Sequence, residues 1–135
     1  MTLHVGLVSI ERELRSGDAE IVVARTVDGE IGILTGHEPL VSLLADGVVR
    51  VEGGPDGDWS AAVSGGFLSV SKDRVSVLAE RAVLADRVDV TAARAAADEA
   101  RRAIDTAGDD DDRERAVADL AYAQSQLTAA GQSPD

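Results

Sequence analysis

Cysteine is absent from this 135-residue chain, and proline, tryptophan, tyrosine and phenylalanine are nearly so. The first absence excludes disulfide staples, thiolate metal sites and cysteine nucleophiles. Trp59, Phe67 and Tyr122 are too few to build stacking platforms for single-stranded nucleic acid, or aromatic faces for sugars. Long apolar runs are missing too: segments such as Leu43-Leu44-Ala45 fall far short of the roughly 18 residues that cross a bilayer as a helix. Positive charge is scarce, with 13 basic residues against 25 acidic ones and a net charge of -12. Such a surface repels phosphate backbones and anionic headgroups, which argues against nucleic acid and against direct membrane binding. The opening MTLHVGLVSIERELR has no basic n-region, so no signal peptide is expected and the protein is expected to stay where it is made.

The length suits one domain with an appendage, and the chain reads as two parts. Over residues 1–86 apolar residues alternate: Leu3, Val5, Leu7; Ile21, Val23; Ile31, Ile33; Val49, Val51; Ala61, Val63; Leu68, Val70; Val75, Val77. Period two is the mark of half-buried strands. Turn signals separate the runs at Ser16-Gly17, Asp28-Gly29, Asp46-Gly47, the loop from Gly53 to Asp58, and Ser71-Lys72-Asp73. The spacing predicts an antiparallel β-sandwich of about ten strands.

Residues 87–135 change to alanine, arginine and acid, with no glycine before Gly108. Ala93, Ala97, Ala100, Ile104 and Ala107 step by four and three, as do Ala116, Leu120, Ala123, Leu127 and Ala130. Each set is one narrow helical seam. Gly108 is placed to end the first helix in left-handed geometry, and Asp111 with Glu114 has capping-box spacing for the second. So short a connection predicts an antiparallel two-helix hairpin and an α+β fold class overall. Alanine seams bury little area, so the hairpin is a candidate for detachment from whatever it rests on.

No enzyme emerges from the candidate sites. A metal site would have to be built from His4 or His37 with carboxylates, and His37-Glu38 lacks the second histidine of a zinc-binding helix while Pro39 opposes a helix there. Val63-Ser64-Gly65-Gly66 lacks the glycine at position 62 that a nucleophile elbow needs. Paired glycines in a strand instead mark a bulge or a close backbone approach. The Asp109 to Asp112 run lacks the spacing of a calcium loop, and there is no phosphate-cradling glycine motif. Neither a cofactor nor a metal is expected. Two alternatives stay open: a free-standing sandwich adaptor with a helical interaction arm, and a small hydrolase using Ser64 and His37.

Three segments carry a resemblance: DGEIGILTGHEPL at 28–40, SGGFLSV at 64–70 and VLAERAV at 77–83. In order and spacing they resemble the epsilon subunits of rotary ATP synthases, a likeness extending over essentially the full length. The resemblance implies a non-catalytic central-stalk subunit at the cytoplasmic face of the cell membrane, peripheral and associated with it only through the complex. Its partners would be the gamma subunit and the c ring, with the alpha and beta subunits reached through the hairpin. Gly29 and Gly32 would shape a hairpin, Glu30 would meet the c ring, and His37 would lie beside gamma with Pro39 stiffening the turn after it. In this family the hairpin restrains hydrolysis when extended, and some members bind ATP to hold it folded. Their signature is degenerate here: Val88-Asp89 begins it, but Ala92-Ala93 stand where Arg-Ala is expected. Arg94 comes two residues late, a rotation of roughly 200° around a helix. Tyr122 and Gln126 occupy positions where arginines would hold phosphates, so no nucleotide binding is expected.

Overall fold

The computed structural model describes residues 2–135. Eight strands precede two helices: β1 (Leu3–Ser9), β2 (Glu13–Ala19), β3 (Ile21–Thr26), β4 (Gly29–Leu34), β5 (Leu40–Leu43), β6 (Gly47–Glu52), β7 (Trp59–Ser71), β8 (Arg74–Leu84), α1 (Val90–Thr106) and α2 (Asp110–Ala129). The hydrogen-bonded order is β2-β1-β8-β7-β6-β3-β4, with β5 paired to the second half of β7 along the edge whose first half pairs with β6.

The strand count is eight rather than ten because two strands serve both layers. Along β7 the core residues are Ala61 and Val63, then Leu68 and Val70; along β8 they are Val75, Val77 and Ala79, then Ala82 and Leu84. The inward-facing parity switches in both strands at the same place, where Gly65 and Gly66 have φ of +67° and +106°. Residues with positive φ let a strand turn the corner of a sandwich, and glycine adopts them without a Cβ penalty. One layer therefore holds β2, β1, the first half of β8, the second half of β7, and β5. The other holds the remaining halves of β8 and β7 with β6, β3 and β4.

Three further expectations are corrected. The sheet is not wholly antiparallel: β1 lies parallel to β8, from His4↔Arg74 to Ser9↔Ala79. Alternation is blind to strand direction and to which distant strand the first one joins. Ser16-Gly17 is no turn but the middle of β2, paired with Gly6 and Val5. As an edge strand β2 needs few apolar side chains to hold its register. In β3 the inward residues are Val22, Ala24 and Thr26, not Ile21 and Val23. Ile-Val-Val-Ala is apolar at every position and reads equally well in either phase. The turn signals at Asp28-Gly29 and Lys72-Asp73 do join adjacent strands, and Lys72 and Asp73 both take the left-handed conformation of a two-residue hairpin turn.

The helices form where the composition places them. Asp89 caps α1, its carboxylate accepting from the Ala92 N–H at 3.0 Å. The expected left-handed Gly108 does not occur: α1 ends at Ala107 in an extended conformation, and Gly108 does not have positive φ. The cap of α2 is Asp109, not Asp111, with its carboxylate accepting from the Asp112 N–H at 2.8 Å. Any aspartate of the run can cap; the one nearest the extended link does so. Arg94, early in α1, donates to Gln132 beyond the end of α2, so the helices are antiparallel. Their seam buries Ala93, Ala97 and Ala100 against Ala116, Ala123 and Leu127. The hairpin rests through α2 on β7 and β6, and covers Ala62 and Ser64, which face away from the sandwich interior.

Candidate functional site

The stretch 28–40 begins in a tight turn. The Thr26 hydroxyl donates to the Gly29 carbonyl at 2.8 Å and accepts from the Asp28 N–H, and Gly29 has φ of +121°. Gly32 does not have positive φ and stands opposite Val23 in the middle of β4, so of the two glycines only Gly29 shapes the hairpin. Glu30 is exposed near the start of β4, opposite Arg25, with a long 3.8 Å ion pair to Arg50. An exposed pair at that distance contributes little to stability.

At the far end of β4 the chain is tied to the β7–β8 turn, the Gly36 N–H donating to Asp73 Oδ1 at 2.7 Å. The His37 N–H donates to the Leu34 carbonyl, and its ring Nδ1 lies 2.7 Å from the Glu38 carbonyl oxygen, so that nitrogen carries the proton. Pro39 is exposed beside it. Glu30 and His37 thus bracket β4 and do not form one site. Ser64 is buried beneath the hairpin, its hydroxyl accepting from Arg81 at 3.3 Å, and His37 is engaged with its own neighbour. That geometry offers no nucleophile and base, which removes the hydrolase alternative. Among the described residues no group of three or more histidine, aspartate or glutamate side chains is gathered as metal ligands.

Sequence reasoning missed a surface that the sheet assembles. Leu43 of β5 stands opposite Phe67 of β7, Phe67 opposite Leu78 of β8, and Leu78 opposite Val8 of β1. Their chain neighbours Leu44, Leu68, Val77 and Leu7 point inward, so these four form one row on the outer face. Phe67 is 50% exposed, and Val41, two residues before Leu43, is 71% exposed. The Val27 N–H donates to the Leu43 carbonyl, bringing another exposed valine to the same end. β5 therefore runs from the His37 loop to the Val27 turn with its apolar side outward. A contiguous apolar row on a small acidic domain marks a protein-binding surface. The signal in the sequence was Phe67, the only phenylalanine, but its exposure depends on which face it takes after the glycine corner.

The degenerate nucleotide motif is occupied by the fold. Asp89 caps α1, Val88 closes a turn on Ala85, and Arg94 bonds the residues that follow α2. Tyr122 lies under the Arg81 guanidinium, 4.7 Å from its ring centroid. Burial pushes the Tyr122 hydroxyl above its usual pKa of 10.0, opposed by the Arg81 charge.

A rigid sandwich with an exposed apolar row and a lightly held helical arm defines a docking subunit, which acts by being held. The family model for the ATP synthase delta/epsilon chain β-sandwich domain matches residues 2–85. The ATP synthase epsilon chain of Thermobifida fusca is 50% identical over 131 residues, spanning 95% of this chain and 91% of that one. That of Halalkalibacterium halodurans is 41% identical over 131 residues, spanning 96% and 98%. A chain in the cryo-EM structure of the Euglena gracilis mitochondrial ATP synthase, which contains OSCP, F1 and the c-ring in rotational state 1, superposes with a TM-score of 0.78 at 27% identity. The match covers 95% of this chain and 81% of that one. The chain belongs to the ATP synthase epsilon chain family and is a non-catalytic accessory subunit. That membership removes the free-standing adaptor as an alternative.

Proposed function

We propose that this central-stalk subunit transmits rotation through two separate surfaces, with the gamma subunit seated on the apolar row and the c ring meeting the Glu30 end of β4. The carrying observation is the outward-facing row Leu43, Phe67, Leu78 and Val8, the first three half-exposed and Val8 partly covered, laid side by side across β5, β7, β8 and β1. Torque needs a stiff body and a tight interface, and burying such a row contributes about 25 cal/mol per Å² of apolar area. His37 and Pro39 lead directly into β5, so they border the gamma surface. Gly29 holds the turn that presents Glu30, and Gly32 keeps the middle of β4 free of a side chain.

On this reading the subunit sits at the cytoplasmic face of the membrane, peripheral to it, and associates with it only through the complex. The hairpin reaches the alpha and beta subunits when it leaves the sandwich. After Arg115 it has no basic residue to pair with acidic segments there, so its restraint on hydrolysis is mild. Co-purification of the Phe67→Asp chain with the gamma subunit tests the assignment. Loss of gamma with the sandwich still folded is expected, and unchanged recovery of gamma overturns it.

A further inference from the structure

Among the described residues, the one hydrogen-bonded ion pair between the hairpin and the sandwich is made by Arg81, which also stacks on Tyr122 of the hairpin. Its Nη1 donates to Asp119 Oδ1 at 2.9 Å, its Nη2 donates to the Ser64 hydroxyl at 3.3 Å, and its plane lies over Tyr122. Asp119 and Tyr122 are three apart on α2 and so share one face of the helix. Ser64 is the residue of β7 directly opposite Arg81, and it is buried only because the hairpin lies over it. Beside this point small side chains meet the longer Arg25, Val48, Arg50 and Gln124 at the cleft between hairpin and sandwich. Ala62 is covered on the sandwich side, Ala121, Ser125 and Thr128 line the cleft on the helix side, and the Ser125 hydroxyl turns back to its own helix at Ala121.

We propose that Arg81 is a latch: steadied on the sandwich by Ser64, its contacts with Asp119 and Tyr122 decide whether the hairpin is docked, and losing them releases both helices as one unit from an intact sandwich. Arginine suits the task because one planar group serves an ion pair, a hydrogen bond and a stacked ring at once, which a lysine cannot reproduce. The contact is half-exposed, so rising ionic strength weakens it. A partner that offers a carboxylate to Arg81 would open the hairpin by competition.

The chain lacks cysteine, so spin labels can be placed at will. Cysteines at Ser71, exposed on the sandwich, and Thr106, exposed at the end of α1, give a distance by pulsed electron resonance in the isolated full-length chain. No other subunit is involved, so the outcome is independent of the rotor reading. The latched chain gives one narrow distance, and Arg81→Ala gives a broad, longer one with roughly a tenfold rise in the undocked fraction. Arg81→Lys falls between, and salt shifts the unsubstituted chain in the same direction. Should Arg81→Ala disturb the Trp59 fluorescence of the sandwich, Asp119→Ala and Tyr122→Ala replace it, each expected to raise the undocked fraction severalfold. An unchanged narrow distance in Arg81→Ala, or in both hairpin variants, overturns the proposal.

Discussion

Gly66 packs directly against the backbone of Leu78: a Cβ added to it would overlap the Leu78 carbonyl oxygen and come within 2.9 Å of the Ala79 Cα. Its φ of +106° is one that side chains rarely adopt. Gly66→Ala is therefore expected to destabilise the sandwich by about 3 kcal/mol, read as a lowered melting temperature. Gly6, with open space around its Cα and no positive φ, is the control, and its alanine variant is expected to stay within about 0.5 kcal/mol.

The apolar row separates binding from folding. Leu43→Ser or Leu78→Ser trims a half-exposed side chain outside the core, so stability is expected to fall by about 1 kcal/mol or less. Binding to the gamma subunit, measured by calorimetry, is expected to weaken at least roughly tenfold for each if the residue is a central contact. Tight binding by both variants would move the gamma interface elsewhere.

Tyr122 gives the hairpin contact a pH limit. Its folded-state pKa is raised by burial, so the protonated phenol is favoured in the docked state. The associated stability is fully present below pH 10, the ordinary tyrosine value, and is lost as pH rises through the higher folded value. Tyr122 is the only tyrosine, so tyrosinate absorbance reports it alone. A midpoint above that of free tyrosine is expected, falling toward it when residues 1–86 are removed.

On the proposed assignment, Glu30 and His37 act on assembly without holding the fold. Glu30→Ala removes a 3.8 Å surface pair, and His37→Ala removes a ring bonded only to the next residue's carbonyl. Both are expected to keep the melting temperature within a few degrees. Proton pumping driven by ATP in reassembled membranes is expected to fall for Glu30→Ala, through weaker docking on the c ring. Normal pumping in both variants would count against the site assignment.

Nucleotide is expected to leave this chain unaffected. Asp89 is committed to capping α1, and Arg94 to the residues after α2. Added ATP should produce no binding heat and no rise in melting temperature, since a ligand at a hundred times its Kd would add about 2.7 kcal/mol. Deleting residues 87–135 is expected to leave a folded β domain and to raise hydrolysis by the complex only slightly.

The sequence by itself determined the change from strands to helices, the helix seams, the turns at Asp28-Gly29 and Lys72-Asp73 and the family, because period, punctuation and motif are local properties of the chain, though Ser16-Gly17 shows that punctuation can sit inside a strand. It placed His37 in a loop for the same reason, whereas Glu30, expected on a loop, stands exposed in β4. Tertiary structure alone decided four things. β1 inserts parallel to β8, since pairing between distant strands leaves no mark in alternation. β3 turns Val22 inward because a run apolar at every position has no phase of its own. Leu43, Phe67, Leu78 and Val8 become one row only after four strands are laid in register, with the glycine corner setting which way Phe67 points. Arg81 meets Asp119 and Tyr122 across 38 and 41 positions of sequence, a contact that exists only because α2 folds back over β7.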